Sequence, residues 1–310
     1  MRGGGAFLLI VAGMLTACSP QLKLTGPTVQ EPVLLEMVVT LADGIALPLR
    51  IWPTKQEPKA ILLALHGFND YGTFIKDAAG YFSERGVQVY AYDQRGFGEA
   101  PHRGFWPGKE AFAQDLSATA KLLKARHKKV PLYLLGVSMG GAVIMTAMTS
   151  DDPPSTAGVI LAAPAVWGRK TQPFYQRWGL ALAVRTIPWM KLSGRGLNIK
   201  PSDNIPMLRA LGRDPLVIKE TRIDAIWGLV NLMDAALESS KTFDTRALIL
   251  YGDNDEIIRQ EPTDLMLSQL PKEAADRQTL KRYGEGYHML LRGLNAEIVW
   301  KDILEWMAGT

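Results

Sequence analysis

One serine lies among three glycines in the segment GVSMGG, residues 136–141. The apolar run LYLL precedes it and a helical pattern, GGAVIMTAMTS, follows it, so a predicted strand ends and a predicted helix begins at this serine. The pattern G-x-S-x-G at such a junction predicts a nucleophile elbow, a strained turn that presents the serine hydroxyl above the edge of a sheet. Ser138 is therefore the predicted nucleophile of acyl transfer, and the backbone N–H of Met139 is a predicted oxyanion donor.

A serine nucleophile needs a base, and the chain offers four histidines. A nucleophile elbow is followed along the chain first by an acid and then by a histidine. His66 and His102 precede the serine, and His127 lies in the basic run KARHKK. His288, in GEGYHMLL, is therefore the predicted base, and His66 is interpreted as a brace for its loop.

Two further segments follow predicted strands and complete the predicted site. The turn after RALILYG contains Asp253 and Asp255, either of which could orient the imidazole of the base. The segment HGFND, residues 66–70, follows the first buried strand, and its Phe68 backbone N–H is predicted as the second oxyanion donor.

The elements that must position these residues follow from composition and pattern. The chain of 310 residues is 47% hydrophobic and 21% charged, with a net charge of +4, which is typical of a globular protein and gives little support to nucleic-acid binding. After a β-rich start, continuous apolar runs such as AILLAL alternate with helical patterns, which predicts an α/β fold with a mostly parallel sheet and helices on both faces. This core is predicted over residues 33–165 and 242–310. Residues 166–241, which lack a buried-strand pattern, are predicted as a helical cap inserted between two strands.

The N-terminus predicts export and a lipid anchor. Arg2 and the apolar stretch AFLLIVAGMLTA form a predicted signal peptide over residues 1–17, too short to span a bilayer. The segment LTAC resembles a bacterial lipobox, which implies acylation of Cys18, the only cysteine, and a location in the bacterial cell envelope, at the outer membrane and facing the periplasm. A plain secretory signal is the alternative. Residues 18–32, rich in Pro and polar side chains, are predicted as a tether.

Taken together, these motifs resemble the α/β-hydrolase superfamily over residues 33–310. HGFND, DQRGFG, GVSMGG, GDND and GYH resemble the monoglyceride lipase and lysophospholipase group, often described as serine aminopeptidase S33-like. The resemblance implies hydrolysis of carboxylic esters of single-chain lipids through an acyl-enzyme, without a cofactor or a metal. Its Gly-x-x-Asp spacing favours Asp255 over Asp253. The chain departs from the group at Glu99, where Ser is common, and at Val137, where Glu or His is common.

Two alternatives to the lipid esterase remain open from sequence. An aminopeptidase of the same fold would need a cluster of carboxylates in the cap to bind the substrate ammonium, and the acids of the cap are dispersed along the sequence. A non-catalytic envelope scaffold would have no need of the serine, acid and histidine in this order. Partners other than a small ester or lipid substrate and the membrane are not predicted.

Overall fold

A computed structural model describes residues 19–309 of the chain. The predicted signal peptide and the predicted lipidation site Cys18 lie outside these residues. Within the described part, no helix is both long enough and apolar enough to cross a bilayer.

The centre of the molecule is a nine-stranded sheet with the strand order β1-β2-β3-β5-β4-β6-β7-β10-β11. In this order, each strand from β5 onward pairs in parallel with the next one, as far as β11. Strands β1, β2 and β3 form an antiparallel extension beside β5. A separate two-stranded antiparallel sheet pairs β8 with β9. The strands are β1 Val33–Leu34, β2 Val38–Thr40, β3 Ala46–Trp52, β4 Ala60–Leu65, β5 Val87–Tyr92, β6 Leu132–Val137, β7 Gly158–Ala162, β8 Lys191–Ser193, β9 Glu220–Arg222, β10 Ala247–Gly252 and β11 Gln278–Tyr283.

Helices cover both faces of the large sheet, which is why its central strands are continuous apolar runs. The α-helices are α1 Lys76–Ser83, α2 Lys109–Arg126, α3 Met139–Met148, α4 Phe174–Thr186, α5 Ile205–Arg213, α6 Ile223–Ser239, α7 Gln260–Gln269 and α8 Ala296–Ala308. In β4, Leu63 belongs to the apolar cluster that includes α2, α3 and α6. The neighbouring Leu62 faces the other way, into the cluster that includes α1 and α8. Each face of the sheet therefore has its own core, as the alternation of side chains along a strand requires.

The segment between β7 and β10 leaves the large sheet and returns to the strand next to β7. It contains α4, α5 and α6, and it also contains the β8–β9 pair, which the sequence analysis did not predict. These two strands have three residues each and are mostly exposed, so they carry no apolar run that a sequence pattern would reveal. We call residues 166–241 the cap.

Residues 20–30, within the predicted tether, lie along the surface and contact both the cap and the core. The Gln21 N–H donates to Asp224 Oδ2 of the cap at 3.1 Å, and the Lys23 N–H donates to the Trp106 carbonyl of the core at 2.9 Å. Further along, the Val29 N–H donates to the Ala42 carbonyl at 2.8 Å. This segment, which we call the strap, is therefore not a free linker. Its partners are distant in the sequence, so its Pro-rich composition alone did not reveal them.

Candidate active site

Ser138 occupies a strained turn between β6 and α3. Its backbone has φ 52° and ψ −112°, in the left-handed half of conformational space that costs free energy for any residue with a side chain. The turn also requires two glycines, because a Cβ on Gly136 would lie 2.4 Å from the Gly140 carbonyl carbon and one on Gly140 would lie 2.3 Å from the Leu65 oxygen. Two of the three glycines around the serine, Gly136 and Gly140, are thus explained by close backbone approach, and the side chain of Ser138 stands partly exposed at the carboxyl edge of the sheet.

The structure brings Asp255 and His288 together. His288 Nδ1 lies 2.7 Å from Asp255 Oδ2, and both residues are buried. The other carboxylate oxygen, Asp255 Oδ1, accepts the backbone N–H groups of Ile257 at 2.8 Å and Ile258 at 2.9 Å. These bonds fix the carboxylate in place. Its contact with Nδ1 selects the tautomer that leaves Nε2 without a proton, which is the form a general base needs.

The loops that contain these two residues are joined through their backbones. The Asn254 N–H donates to the Gly286 carbonyl at 2.9 Å, and the Asp253 N–H donates to the Tyr283 carbonyl at 3.0 Å. A Cβ on Gly252 would lie 2.5 Å from the Gly286 carbonyl carbon, so this approach also requires glycine. The acid and the histidine are therefore positioned by one rigid unit that follows β10 and β11.

Asp253, the alternative acid, lies elsewhere. It is exposed at the surface, where its Oδ1 accepts hydrogen bonds from Arg282 Nε at 2.8 Å. Among the other histidines, His102 is exposed in its loop, and His127 is hydrogen-bonded to the Tyr90 hydroxyl at 2.9 Å. None of these residues contacts His288.

The predicted oxyanion donors flank the serine. Gly67 packs on Ser138, since a Cβ on Gly67 would lie 3.5 Å from the serine Cβ. Phe68 follows directly, and Met139 begins α3. The N–H groups of Phe68 and Met139 have no acceptor among residues 19–309. Unpaired N–H groups near a nucleophile are what an oxyanion hole requires.

His66 connects the loop of Phe68 to the core. Its Nε2 accepts the Gln94 N–H at 3.0 Å, and its Nδ1 lies 2.8 Å from the Gly67 carbonyl, to which it donates. Complete burial lowers the pKa of His66 because the charged form would lose its hydration, so the imidazole remains neutral and serves both bonds. This arrangement agrees with its interpretation as a brace.

One residue at this site, Asn69, was missed by the sequence analysis. Asn69 has φ 66°, its Nδ2 donates to Thr221 Oγ1 of β9 at 2.7 Å, and its carbonyl accepts the Ile218 N–H at 2.9 Å. It therefore joins residues 66–70, which contain the predicted oxyanion donor Phe68 and which we call the oxyanion loop, to the cap. The available sequence signal was weak: asparagine tolerates a left-handed backbone better than most residues, which is a property of many loops.

The strand order brings these groups to one edge. Ser138 follows β6, Asp255 follows β10 and His288 follows β11, with only β7 between β6 and β10. Because all these strands are parallel, their carboxyl ends lie side by side. Within the described residues, Ser138 Oγ and His288 form no direct hydrogen bond; such contacts commonly tighten when substrate binds.

The arrangement can perform nucleophilic acyl transfer, since it combines a partly exposed hydroxyl, an oriented imidazole and unpaired N–H donors. In the part of the chain that the structure describes, no three His, Cys, Asp or Glu side chains form a group suited to a metal ion.

Comparison with known proteins identifies relatives over most of the chain. The family model described as "Serine aminopeptidase, S33" matches residues 56–295. A monoacylglycerol lipase from Mycolicibacterium smegmatis is 22% identical over 276 residues, covering 85% of this chain and 93% of that protein. An uncharacterized abhydrolase domain-containing protein from Dictyostelium discoideum is 24% identical over 86% of this chain, which spans only 28% of that longer protein.

Among solved structures, a soluble variant of monoglyceride lipase from Saccharomyces cerevisiae in complex with a substrate analog superposes with a TM-score of 0.71. The match covers 93% of this chain and 97% of that one at 19% sequence identity. At this identity the likeness shows the fold, and it confirms the predicted architecture of a mostly parallel sheet between two layers of helices.

Proposed function

The chain is a serine hydrolase that belongs to the serine aminopeptidase S33 family, and we propose that it cleaves the carboxylic esters of single-chain lipids, such as monoacylglycerols or lysophospholipids. The observation that carries the proposal is the buried contact of 2.7 Å between Asp255 Oδ2 and His288 Nδ1, at the sheet edge where the strained turn presents Ser138. The monoacylglycerol lipase among the relatives supports the choice of substrate class.

The proposed reaction proceeds through an acyl-enzyme. His288 Nε2 removes the proton from Ser138 Oγ as the oxygen attacks the ester carbonyl carbon, and the N–H groups of Phe68 and Met139 stabilise the oxyanion. The tetrahedral intermediate expels the alcohol, which takes the proton from His288. A water molecule, activated by the same imidazole, then attacks the acyl carbonyl and releases the fatty acid. Throughout, the Asp255 carboxylate stabilises the imidazolium that forms.

Substitution of the nucleophile tests this mechanism. Ser138→Ala should fold normally and lose ester hydrolysis by at least about 10³-fold, because covalent catalysis is lost while the oxyanion donors remain. The measurement is hydrolysis of p-nitrophenyl esters and monoacylglycerols, together with labelling by a fluorophosphonate probe. Wild type that takes no label would indicate a non-catalytic scaffold, and a variant that keeps more than about a tenth of the activity would exclude Ser138 as nucleophile.

The state of the acidic side chains in the cap favours an ester over an aminopeptidase substrate. Three of the six acids that could bind a substrate ammonium are already paired with a cation: Asp224 with Arg222, Asp234 with Arg169 and Glu238 with Lys241. Two more, Asp203 and Asp214, accept hydrogen bonds from the Leu294 N–H and the Tyr71 hydroxyl. An aminopeptidase would need carboxylates that are still available to neutralise an ammonium group. Aminoacyl anilides, assayed beside the esters, distinguish the two activities.

We also propose that Cys18 carries a lipid that anchors the protein in the bacterial envelope, at the outer membrane and facing the periplasm. The support is the LTAC segment at the end of a short apolar stretch. In a host that processes lipoproteins, the wild type should incorporate labelled palmitate and resist extraction by salt, because two or three acyl chains hold stably in a bilayer. Cys18→Ser is the control and should take up no label. An unlabelled wild type would instead support the plain secretory signal.

A further inference from the structure

The candidate active site is built from two units that follow different strands. Ser138 follows β6 and the oxyanion loop follows β4, and Gly67 of that loop packs on the serine. Asp255 and His288 follow β10 and β11 and form the second unit. In the sheet order β4-β6-β7-β10-β11, four steps separate the strand of the oxyanion loop from the strand of the histidine. At about 4.8 Å for each step, the separation is about 19 Å, so the loops above the sheet must reach across it to complete the site.

An ion pair joins these two units. Arg292 Nη2 donates to Asp70 Oδ2, although the two residues are 222 positions apart in the sequence. The side chains of Arg292 and Asp70 are only 14% and 11% exposed. Among residues 19–309, no other hydrogen bond or ion pair connects residues 66–71 with residues 283–294. Because water screens this pair little, removal of one partner would leave a charge without compensation in a largely buried position.

Asp70 is fixed within the oxyanion loop. Its Oδ1 accepts the Tyr71 N–H at 2.9 Å, and its own N–H donates to the Gly67 carbonyl at 3.2 Å. The second bond closes a turn that contains Phe68, whose N–H is a predicted oxyanion donor. A displacement of the Asp70 carboxylate would therefore displace this donor as well.

Arg292 is fixed in a similar way behind the base. Residues Leu290–Arg292 form a 3₁₀ turn that begins two residues after His288, and the Arg292 N–H donates to the Met289 carbonyl at 2.9 Å. The two leucines of this turn are buried in the apolar cluster that includes α1 and α8. The guanidinium is thus joined to the base through one short, packed turn.

We propose that Asp70 and Arg292 are positioning residues for ester hydrolysis, and that their ion pair sets the placement of His288 relative to the oxyanion loop. The pair holds the two units together across the sheet edge. The imidazole can then reach Ser138 Oγ while the predicted oxyanion donors bind the carbonyl oxygen of the same substrate. This role rests on the proposed acyl transfer and adds the residues that align its two halves.

The first test is Arg292→Met, which keeps an unbranched apolar side chain and removes the donor and the charge. For a soluble p-nitrophenyl ester, kcat should fall about 10–100-fold, because a misplacement of about 1 Å at the reacting groups can reduce the rate by 10²-fold. KM should change by less than about threefold, since an interaction that acts only in the transition state lowers kcat and kcat/KM together.

Labelling by a fluorophosphonate probe distinguishes positioning from a loss of folded protein. If the ion pair aligns the site, Arg292→Met should react more slowly than wild type but reach the same final stoichiometry of label. If the ion pair only stabilises the fold, the stoichiometry should fall with the fraction of folded protein, while the remaining sites react at the wild-type rate. Thermal midpoints of all variants give the folded fraction independently.

Three companion variants make the test specific to this contact. Arg292→Lys keeps a charge that can pair with Asp70, so kcat should recover to within about fivefold of wild type. Asp70→Asn has one acceptor oxygen where the carboxylate has two, so it gives up the bond from Tyr71 or from Arg292, and kcat should fall about three- to tenfold. The double variant Asp70→Asn, Arg292→Met should lose no more than Arg292→Met alone, because both substitutions remove the same interaction.

Lys281→Met is the matched control. It breaks another partly buried ion pair, in which Lys281 Nζ lies 2.5 Å from Asp302 Oδ1. This pair joins β11 to α8 and lies outside both loops. The control should change kcat by less than about threefold.

Three results would overturn the proposal. These are equal losses of kcat in Arg292→Met and Lys281→Met, losses that multiply in the double variant, or a lower stoichiometry of label at an unchanged labelling rate. Hydrolysis of monoacylglycerols by the wild type is measured in parallel. A wild type that cleaves the p-nitrophenyl ester but no monoacylglycerol would contradict the proposed substrate class, while the variants would still decide the role of the ion pair. A wild type that cleaves neither substrate would contradict both proposals.

Discussion

Asp255 and Asp253 are two residues apart, and their surroundings predict different consequences of the same substitution. Asp255→Asn should lower kcat for p-nitrophenyl esters by about 10²–10⁴-fold, because an amide can present its NH₂ to Nδ1 and select the wrong tautomer of His288. Asp253→Asn removes only an exposed ion pair with Arg282 and should change kcat by less than about threefold.

The measurement is a comparison of kcat between the Asp255→Asn and Asp253→Asn variants. A larger loss in the Asp253 variant would move the role of the acid to Asp253. Small and equal losses would mean that neither aspartate orients the base.

At the scale of single residues, the sequence patterns located the functional groups of the candidate active site but not all of their contacts. Strand and turn patterns located Ser138, His288 and a turn with two aspartates, of which the family resemblance favoured Asp255. The structure brings Asp255 and His288 within hydrogen-bond distance. Asn69 was not predicted, because its partner Thr221 is 152 residues away and no local pattern encodes such a contact.

At the scale of elements, the hydrogen bond between the oxyanion loop and the cap leads to a testable prediction. Thr221→Val keeps the size of the side chain but leaves Asn69 Nδ2 without its acceptor. The loop of Phe68 should then be less well held, and kcat/KM for a soluble ester should fall about three- to tenfold, equivalent to roughly 1 kcal/mol.

Thr221→Ser is the matched control, because it keeps the hydroxyl and should retain kcat/KM close to that of wild type. If the Val and Ser variants have equal kcat/KM, the cap does not position the oxyanion loop through this bond.

The elements themselves were largely predictable from the sequence. Alternating buried strands and helices predicted an α/β fold with a mostly parallel sheet, and the resemblance of the motifs implied the α/β-hydrolase architecture. The comparisons confirm both this fold and the class of enzyme, a serine hydrolase of carboxylic esters. The β8–β9 pair was not predictable, because three-residue exposed strands have no periodicity to detect.

At the scale of the whole molecule, the strap joins parts that are far apart in sequence. A chain that begins at residue 31 loses the bonds to Asp224, Trp106, Asp43 and Ala42. It should unfold at a thermal midpoint about 2–6 °C lower than a chain that begins at residue 19, because each net hydrogen bond contributes about 1 kcal/mol and part of this is offset by the entropy of ordering the strap.

Scanning calorimetry of the two chain lengths checks this prediction. Identical midpoints would show that the strap adds nothing to stability and behaves as the tether that its composition indicated.

The return of the chain from β7 to the neighbouring β10 also has a consequence for the order in which the molecule can fold. Ala247 pairs with Val159, so this contact closes a loop that contains the entire cap. Loop-closure entropy grows only with the logarithm of length, and a crossover of roughly 85 residues costs about 2 kcal/mol more than one of roughly 10 residues. The free energy is modest, but the kinetic consequence is larger, because contacts across long separations slow folding. During synthesis, Ser138 can reach its turn before residues 247–288 are available. Asp255 and His288 can join it only after the cap has emerged, so catalytic competence arrives late, with the last third of the chain.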